Sequence, residues 1–275
     1  MLSFLSSINA TQIDLVIATH PDEEHIGGLV SVLASLSIDV VLYNGQIRTT
    51  QVFQDFMNLA IQSNLTLAKR NQLYFLTSSS NFTILNPVQP LEFGETNLNS
   101  VVTLLQVGNV NFLFAGDSEV ASEQSMLNAS LHLESDVLKV GHQGSRTSTS
   151  QAFLETVNPS IAVISAGVNN QYGHPHNETV QRLQNMGITI YGTFTSGTIF
   201  LSTDGNTINV QGNPQIIPEF TFIAIPILMF SMMAMCVVFK KRKLNGAFLQ
   251  LFSVFIHEMI PYQSPRSERT TTLRF

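Results

Sequence analysis

Thr19-His20-Pro21-Asp22-Glu23-Glu24-His25-Ile26-Gly27-Gly28 sets two imidazoles and three carboxylates within six consecutive positions, 20–25. Burying so many titratable groups together is costly unless a cation balances them, and His with carboxylate oxygen suits zinc or manganese better than a thiolate-seeking ion. The competing reading is a solvated acidic loop, the usual fate of a run of charge. The flanking sequence favours the site. Ile13-Asp14-Leu15-Val16-Ile17-Ala18 reads as a buried strand that ends where His20 begins, Gly27-Gly28 as a tight turn, and residues 29–36 as the start of a helix. The unit predicted is strand, ligand loop, helix.

Further blocks follow in order. They are Phe112-Leu113-Phe114-Ala115-Gly116-Asp117, Asp136-Val137-Leu138-Lys139-Val140-Gly141-His142-Gln143-Gly144-Ser145, Ala162-Val163-Ile164-Ser165-Ala166-Gly167 and Tyr172-Gly173-His174-Pro175-His176. Each candidate ligand closes a strand-like apolar run, so all could converge on one edge of a sheet sandwich. Taken with His20-Pro21-Asp22-Glu23-Glu24-His25, the set resembles the metallo-β-lactamase superfamily. The first motif has the His-x-Asp-x-Asp-His form found in the hydrolase domain of ComEC-type DNA-uptake competence proteins. The resemblance runs from about residue 13 to residue 211.

That resemblance implies an α/β fold, the αβ/βα sandwich, and one or two divalent ions of zinc or manganese. It implies that His20 and Asp22 bind a first ion, that Glu24, His25 and His142 bind a second, and that Asp117 bridges them. Water between two such ions becomes hydroxide near neutral pH and attacks an ester phosphorus or a carbonyl carbon. Lys139, His174 and His176 would then face the substrate anion or the leaving group; the competing readings are an exposed strand residue for Lys139 and turn residues for the two histidines. Asn99, in Asn97-Leu98-Asn99-Ser100, stands where related binuclear enzymes carry a further histidine and is one more candidate ligand.

Three departures from the pattern carry expectations. Glu24 stands where the family has Asp, and its extra methylene predicts a weaker second metal. Gln143 replaces the second histidine of His-His-Gly-Ser, which predicts reduced turnover. The motif begins at residue 20, after barely one strand, and an Asp-Val-Gly-x-Gly-Asp pattern is missing. The sandwich is therefore expected to be incomplete at its N-terminal side, in a chain that starts late.

Between the motifs, periodicity predicts strands at 38–43 and 74–76, a helix over 50–68, a hairpin of 101–105 with 111–114 about Gly108-Asn109, helices over 118–127 (capped by Ser118) and 148–157, and short strands at 188–191, 197–201 and 207–210.

Residues 220–239 are twenty uncharged, mostly apolar residues followed by Lys240-Lys241-Arg242-Lys243. Their length and flanking charge predict a membrane helix with a cytoplasmic tail over 240–275 and the preceding domain outside; a buried core helix is the competing reading. Ile217-Pro218-Glu219-Phe220 before that span resembles the PEF-type sorting signals of archaea, which implies an archaeosortase-like processing enzyme as a partner. The predicted organisation is a catalytic domain over 1–211, a linker over 212–219, the span and the tail. The single cysteine, Cys236, lies in the span, so the domain has neither disulfides nor thiolate ligands.

Residues 1–219 hold six Lys and Arg against seventeen Asp and Glu, a net charge of −11, while the remainder is +5. A polyanion would be repelled by the domain unless metals and a local basic strip compensate, which leaves nucleic acid open as a partner. The sequence thus points to a surface-anchored metal-dependent hydrolase of phosphodiester bonds or other small anionic substrates. The alternative is a binding or structural protein that keeps the fold and has lost turnover.

Overall fold

The computed structural model describes residues 2–214, together with the backbone of two four-residue strands, Met233–Cys236 and Phe255–Glu258. In chain order the first half runs α1 (Leu2–Ser7), β1 (Gln12–Ala18), α2 (Glu23–Ser35), β2 (Ser37–Tyr43), α3 (Gln51–Ala60), β3 (Asn64–Leu67), β4 (Leu73–Phe75), β5 (Ser80–Asn86), β6 (Val102–Val107) and β7 (Val110–Phe114). The second half runs α4 (Val120–Asn128), β8 (Val137–Lys139), α5 (Gln151–Val157), β9 (Ile161–Ile164), α6 (Asn177–Asn185), β10 (Thr189–Gly192), α7 (Thr193–Ser196), β11 (Phe200–Thr203) and β12 (Ile208–Gln211).

Two main sheets result. One is parallel and three-stranded in the order β1-β2-β3; the other has seven strands in the order β10-β9-β8-β7-β6-β5-β4, and a β11-β12 hairpin stands apart. In the larger sheet β4 to β7 pair antiparallel, whereas β7, β8, β9 and β10 are parallel neighbours. The apolar alternation of the strands explains the layering. Leu15 and Ile17 of β1 join Leu42 of β2, Phe112 and Phe114 of β7, Val137 of β8 and Val163 of β9 in a core between the sheets. Val16, Ala18, Val41 and Tyr43 face the other way, onto Ile26 and Leu29 of α2 and Phe53 and Phe56 of α3. Leu113, Leu138 and Ile164 likewise face Met126 of α4, Phe153 of α5 and Leu183 of α6. The order of layers is helix, sheet, sheet, helix: the αβ/βα sandwich that the motifs implied, with halves of three and seven strands.

This layering fixes where chemistry can occur. β1, β7, β8 and β9 each end at a site loop, and in open α/β sheets ligands gather outside such carboxyl ends. A backbone hydrogen bond from Val101 N–H to Thr19 O (2.8 Å) ties the loop after β1 to the larger sheet.

Several sequence expectations are corrected. The helix of 50–68 stops at Ala60, because residues 64–67 pair with β2 and satisfy that strand's open edge. Gly27 and Gly28 are helical, and α2 starts at Glu23, so Glu23 and Glu24 occupy the first turn, where the helix dipole favours carboxylates. α4 is capped by Glu119 and Ser122 rather than by Ser118, and α5 by Ser150. α1, β5 and α6 were not foreseen.

Apart from Met233–Cys236, the predicted span 220–239 lies outside the described residues, as does the tail apart from Phe255–Glu258. Those two segments pair with each other antiparallel, so Met233–Cys236 has its backbone groups satisfied between strands and not along a helix. Among the described residues no helix is long and apolar enough to cross a membrane.

Candidate metal centre

Three loops and one helix turn deliver the site. His20 follows β1, and His25 sits in the first turn of α2, so the Pro-Asp-Glu-Glu spacer folds the second imidazole back against the first. Their ring centroids lie 3.9 Å apart. Asp117 follows β7, beyond Gly116, whose φ of +54° and close approach to Ser100 suit a residue without a side chain. His142 follows β8 in a left-handed backbone (φ 43°, ψ 49°).

His20, His25 and Asp117 are all buried, and one ligand atom from each lies within 4.8 Å of the others. His25 Nε2 is 3.2 Å from Asp117 Oδ2, and His25 Nδ1 has no hydrogen-bond partner among the described residues. His20 Nδ1 is held between Thr19 Oγ1 (3.1 Å) and Ser100 Oγ (3.2 Å), while its Nε2 lies 3.7 Å from Asp22 Oδ2. Ser100 Oγ also accepts the Asp117 backbone N–H at 3.2 Å.

The other predicted residues surround this cluster at different depths. His142 Nε2 is 3.7 Å from Asp117 Oδ2, and its Nδ1 pairs with Glu119 Oε1 at 2.8 Å. Asp22 is shared with Arg48, whose Nη2 lies 3.1 Å from Asp22 Oδ1 and also bonds Thr96 Oγ1. Glu24 is half-buried and outside the three-residue cluster. Lys139 is buried, its side chain on the inter-sheet side of β8, and its ammonium donates to Val140 O at 3.1 Å; it is not the exposed strand residue of the competing reading. The His174 ring lies 5.4 Å from that of His142 and 4.8 Å from that of His176. The His176 ring in turn accepts the Arg146 backbone N–H at 3.0 Å, which ties it to the loop after β8.

Asn99 is committed elsewhere. Its amide nitrogen donates to Phe93 O (2.6 Å) and Glu95 O (2.9 Å), and its side-chain oxygen accepts the Phe93 N–H at 3.4 Å. It therefore builds the loop behind His20. Sequence reasoning missed Ser100, Glu119 and Arg48. Only Glu119 carried a local signal, the second carboxylate two residues after Asp117.

Burial and mutual proximity set the charges. Burial lowers the pKa of His20 well below the ordinary imidazole value, and the neighbouring His25 adds to this, so its ring is a neutral donor. Burial alone would raise Asp117, but the surrounding imidazoles, His25 foremost, outweigh it and hold the carboxyl well below its usual range. Burial pushes Lys139 down to about 8 against the pull of Asp117. Burial, followed by His142 and His176, lowers His174 to about 4. For His142 burial is the largest single influence and lowers it, but the Glu119 hydrogen bond together with the charges of Asp117, Glu119 and Glu24 outweighs burial and raises it.

Residues 3–168 match the family described as the metallo-beta-lactamase superfamily. The chain belongs to that superfamily. ComE operon protein 3 of Bacillus subtilis (strain 168) is 29% identical over 209 residues, covering 72% of this chain and 26% of its own length. Recombination protein 2 of Haemophilus influenzae is 27% identical over 199 residues, covering 72% and 23%. Competence protein ComA of Neisseria gonorrhoeae is 28% identical over 196 residues, covering 71% and 26%. The chain thus spans about a quarter of the length of these curated relatives.

Members of the metallo-beta-lactamase superfamily are generally metal-dependent hydrolases, and the residues present here fit a divalent ion. Two neutral-capable imidazoles and an ionised carboxylate are a zinc-type donor set. His25 Nδ1 is buried without a partner and Nε2 has only the Asp117 carboxylate, an arrangement costly to leave without a cation or a proton. His20, His25 and Asp117 can hold a divalent metal such as zinc.

Proposed function

We propose that this superfamily domain is a metal-dependent hydrolase of phosphodiester bonds, or of another small anionic ester, centred on His20, His25 and Asp117. One observation carries the proposal: three buried donor atoms of the right chemistry lie within 4.8 Å of one another, and His25 has no other hydrogen-bond partner among the described residues. His142 and Asp22 stand next to the cluster as further donors, and Glu24 is the remaining carboxylate in reach of a second ion. A divalent zinc or manganese ion held there supplies a Lewis acid and a source of hydroxide at neutral pH.

The chain's own residues do the rest. Ionised Asp117 balances the cation's charge, and Thr19 and Ser100 hold His20 so that Nε2 turns toward the centre. Arg48 is 44% exposed and fixed by Asp22 and Thr96, which leaves it N–H donors for a substrate anion. Buried Lys139 adds positive potential beneath Asp117. His174, held neutral by burial, is available to accept a proton or to hydrogen-bond the substrate. His176, tied to the loop after β8, positions His174.

A second reading is a binding protein with impaired turnover. It is favoured by Arg48, which already engages Asp22, and by Gln143, which stands in place of an imidazole. Hydrolysis of a chromogenic phosphodiester with added manganese or zinc separates the two, comparing the natural chain with Asp117→Ala while measuring bound metal. Equal rates reject catalysis at this centre; metal bound without turnover establishes the second reading.

We further propose that residues 220–239 attach the chain to a membrane with the domain outside, on the strength of the uncharged run and the basic cluster that follows it. Processing near Pro218-Glu219-Phe220 by an archaeosortase-like enzyme belongs to the same proposal. Membrane pelleting that survives alkaline extraction supports attachment, and a fully soluble full-length chain overturns it.

A further inference from the structure

We infer that Glu119 is a positioning residue that decides which ring nitrogen His142 presents to the centre. The inference rests on the reading of His20, His25 and Asp117 as a metal centre. Gly116-Asp117-Ser118-Glu119 delivers two carboxylates from one turn, and they approach opposite nitrogens of a single imidazole. Glu119 Oε1 lies 2.8 Å from Nδ1 of His142, and Asp117 Oδ2 lies 3.7 Å from Nε2. An imidazole that donates Nδ1–H to a carboxylate keeps its lone pair on Nε2, the nitrogen that faces the cluster.

Two further features place this task on Glu119. His142 has a left-handed backbone between β8 and the next loop, so no regular element sets the direction of its ring. Among the described residues the Glu119 hydrogen bond is the one that orients it. Glu119 is itself held at the N-terminus of α4. Its backbone N–H donates to Ser122 Oγ at 3.1 Å, the Ser122 hydroxyl donates back to Glu119 O at 2.9 Å, and Asn97 donates to Oε1 at 3.4 Å. A rigid cap therefore aims the carboxylate, and the carboxylate aims the imidazole.

The test uses the full chain with Glu119→Ala and Glu119→Gln. Nitrogen-15 spectra of the metal-free protein report the His142 tautomer, competition against a chromogenic chelator reports zinc affinity, and thermal melting controls for folding. At a pH above the raised His142 pKa, where the ring is neutral, wild type should show Nδ1 protonated and Nε2 bare. Glu119→Ala should mix the tautomers and weaken zinc by about 10–100-fold, the usual cost of removing a partner behind a metal-ligating histidine. Glu119→Gln still offers an oxygen to Nδ1–H and should keep the tautomer and stay within several-fold of wild type in affinity. An unchanged tautomer and zinc affinity in Glu119→Ala, with or without a lower melting temperature, overturns the inference. If Glu119→Ala does not fold, Glu119→Asp replaces it, because the shorter arm keeps the charge but withdraws from Nδ1. A wild type that binds no zinc sinks the metal-centre reading, while the tautomer still decides the role of Glu119.

Discussion

At Asp117 the imidazoles of His25 and His142 meet one short acidic side chain, while Ser100 Oγ holds its backbone N–H, so removing the carboxylate dismantles two side-chain contacts and leaves the backbone in place. Asp117→Ala is expected to lower hydrolysis by more than the ~100-fold upper range for residues behind the ligands, with metal content falling in parallel. Steady-state rates and bound-metal analysis check this together. Lys139 is the opposite case, a charge whose burial costs stability. Its folded pKa of about 8 lies below the unfolded value of 10.5, so the folded state binds fewer protons between those limits. Stability therefore rises with pH across that window, and at pH 7 the full cost is present, roughly 3 kcal/mol. Lys139→Met should melt higher than wild type at pH 7, and the gap should narrow toward pH 9.5; a gap that widens refutes the assignment. Asn99→Ala should cost about 1–3 kcal/mol by leaving loop carbonyls unpaired, with zinc affinity nearly unchanged. Large metal loss without destabilisation would return Asn99 to the ligands. His20, His25 and Asp117 were legible in the sequence because each closes an apolar strand or follows one within a few residues. Ser100, Arg48 and the commitment of Asn99 were not, since their partners lie far off in the chain.

The elements show where local pattern sufficed and where pairing overruled it. β1, β2, β6 and β7 follow from short apolar runs, because each buries one face between the sheets and the other beneath helices. Residues 64–67 do not: the pattern of 50–61 continues through them as helix, but the open edge of β2 recruits them as β3. α6 begins directly at the end of the Tyr172-to-His176 motif, with His176 as its N-cap. The turn between β6 and β7 gives a prediction at this scale. Gly108 has φ of +57°, and a methyl group there would fall 2.7 Å from Gly205 O in the turn of the β11-β12 hairpin. Asn109 N–H donates to that same carbonyl at 2.7 Å. Gly108→Ala is expected to destabilise by about 1–3 kcal/mol, through backbone strain and loss of that docking. Urea unfolding would show it, and a change below half a kcal/mol would mean the two turns move apart freely.

For the whole molecule, metal and fold should be coupled, because the candidate ligands come from both sheets and from α2, and an unfolded chain cannot gather them. At a free ion concentration one hundred times the dissociation constant, binding adds about 2.7 kcal/mol, or roughly 5–10 °C in melting temperature for a domain of this size. Scans with chelator and with added zinc measure it; identical curves would leave the cluster without an ion. The order of layers was implied by motifs that recur at strand ends and by the apolar runs that precede them, both local properties that depend on a few neighbouring residues. The sequence by itself therefore determined the sandwich, the superfamily and the candidate donors His20, His25 and Asp117. Only the tertiary structure decided that Asp22 leans on Arg48, that Lys139 is buried between the sheets, that Asn99 serves the backbone and that Glu119 aims His142. Those choices depend on distances between loops well separated in the chain, and such distances are set by how two sheets pack, which no stretch of residues encodes alone.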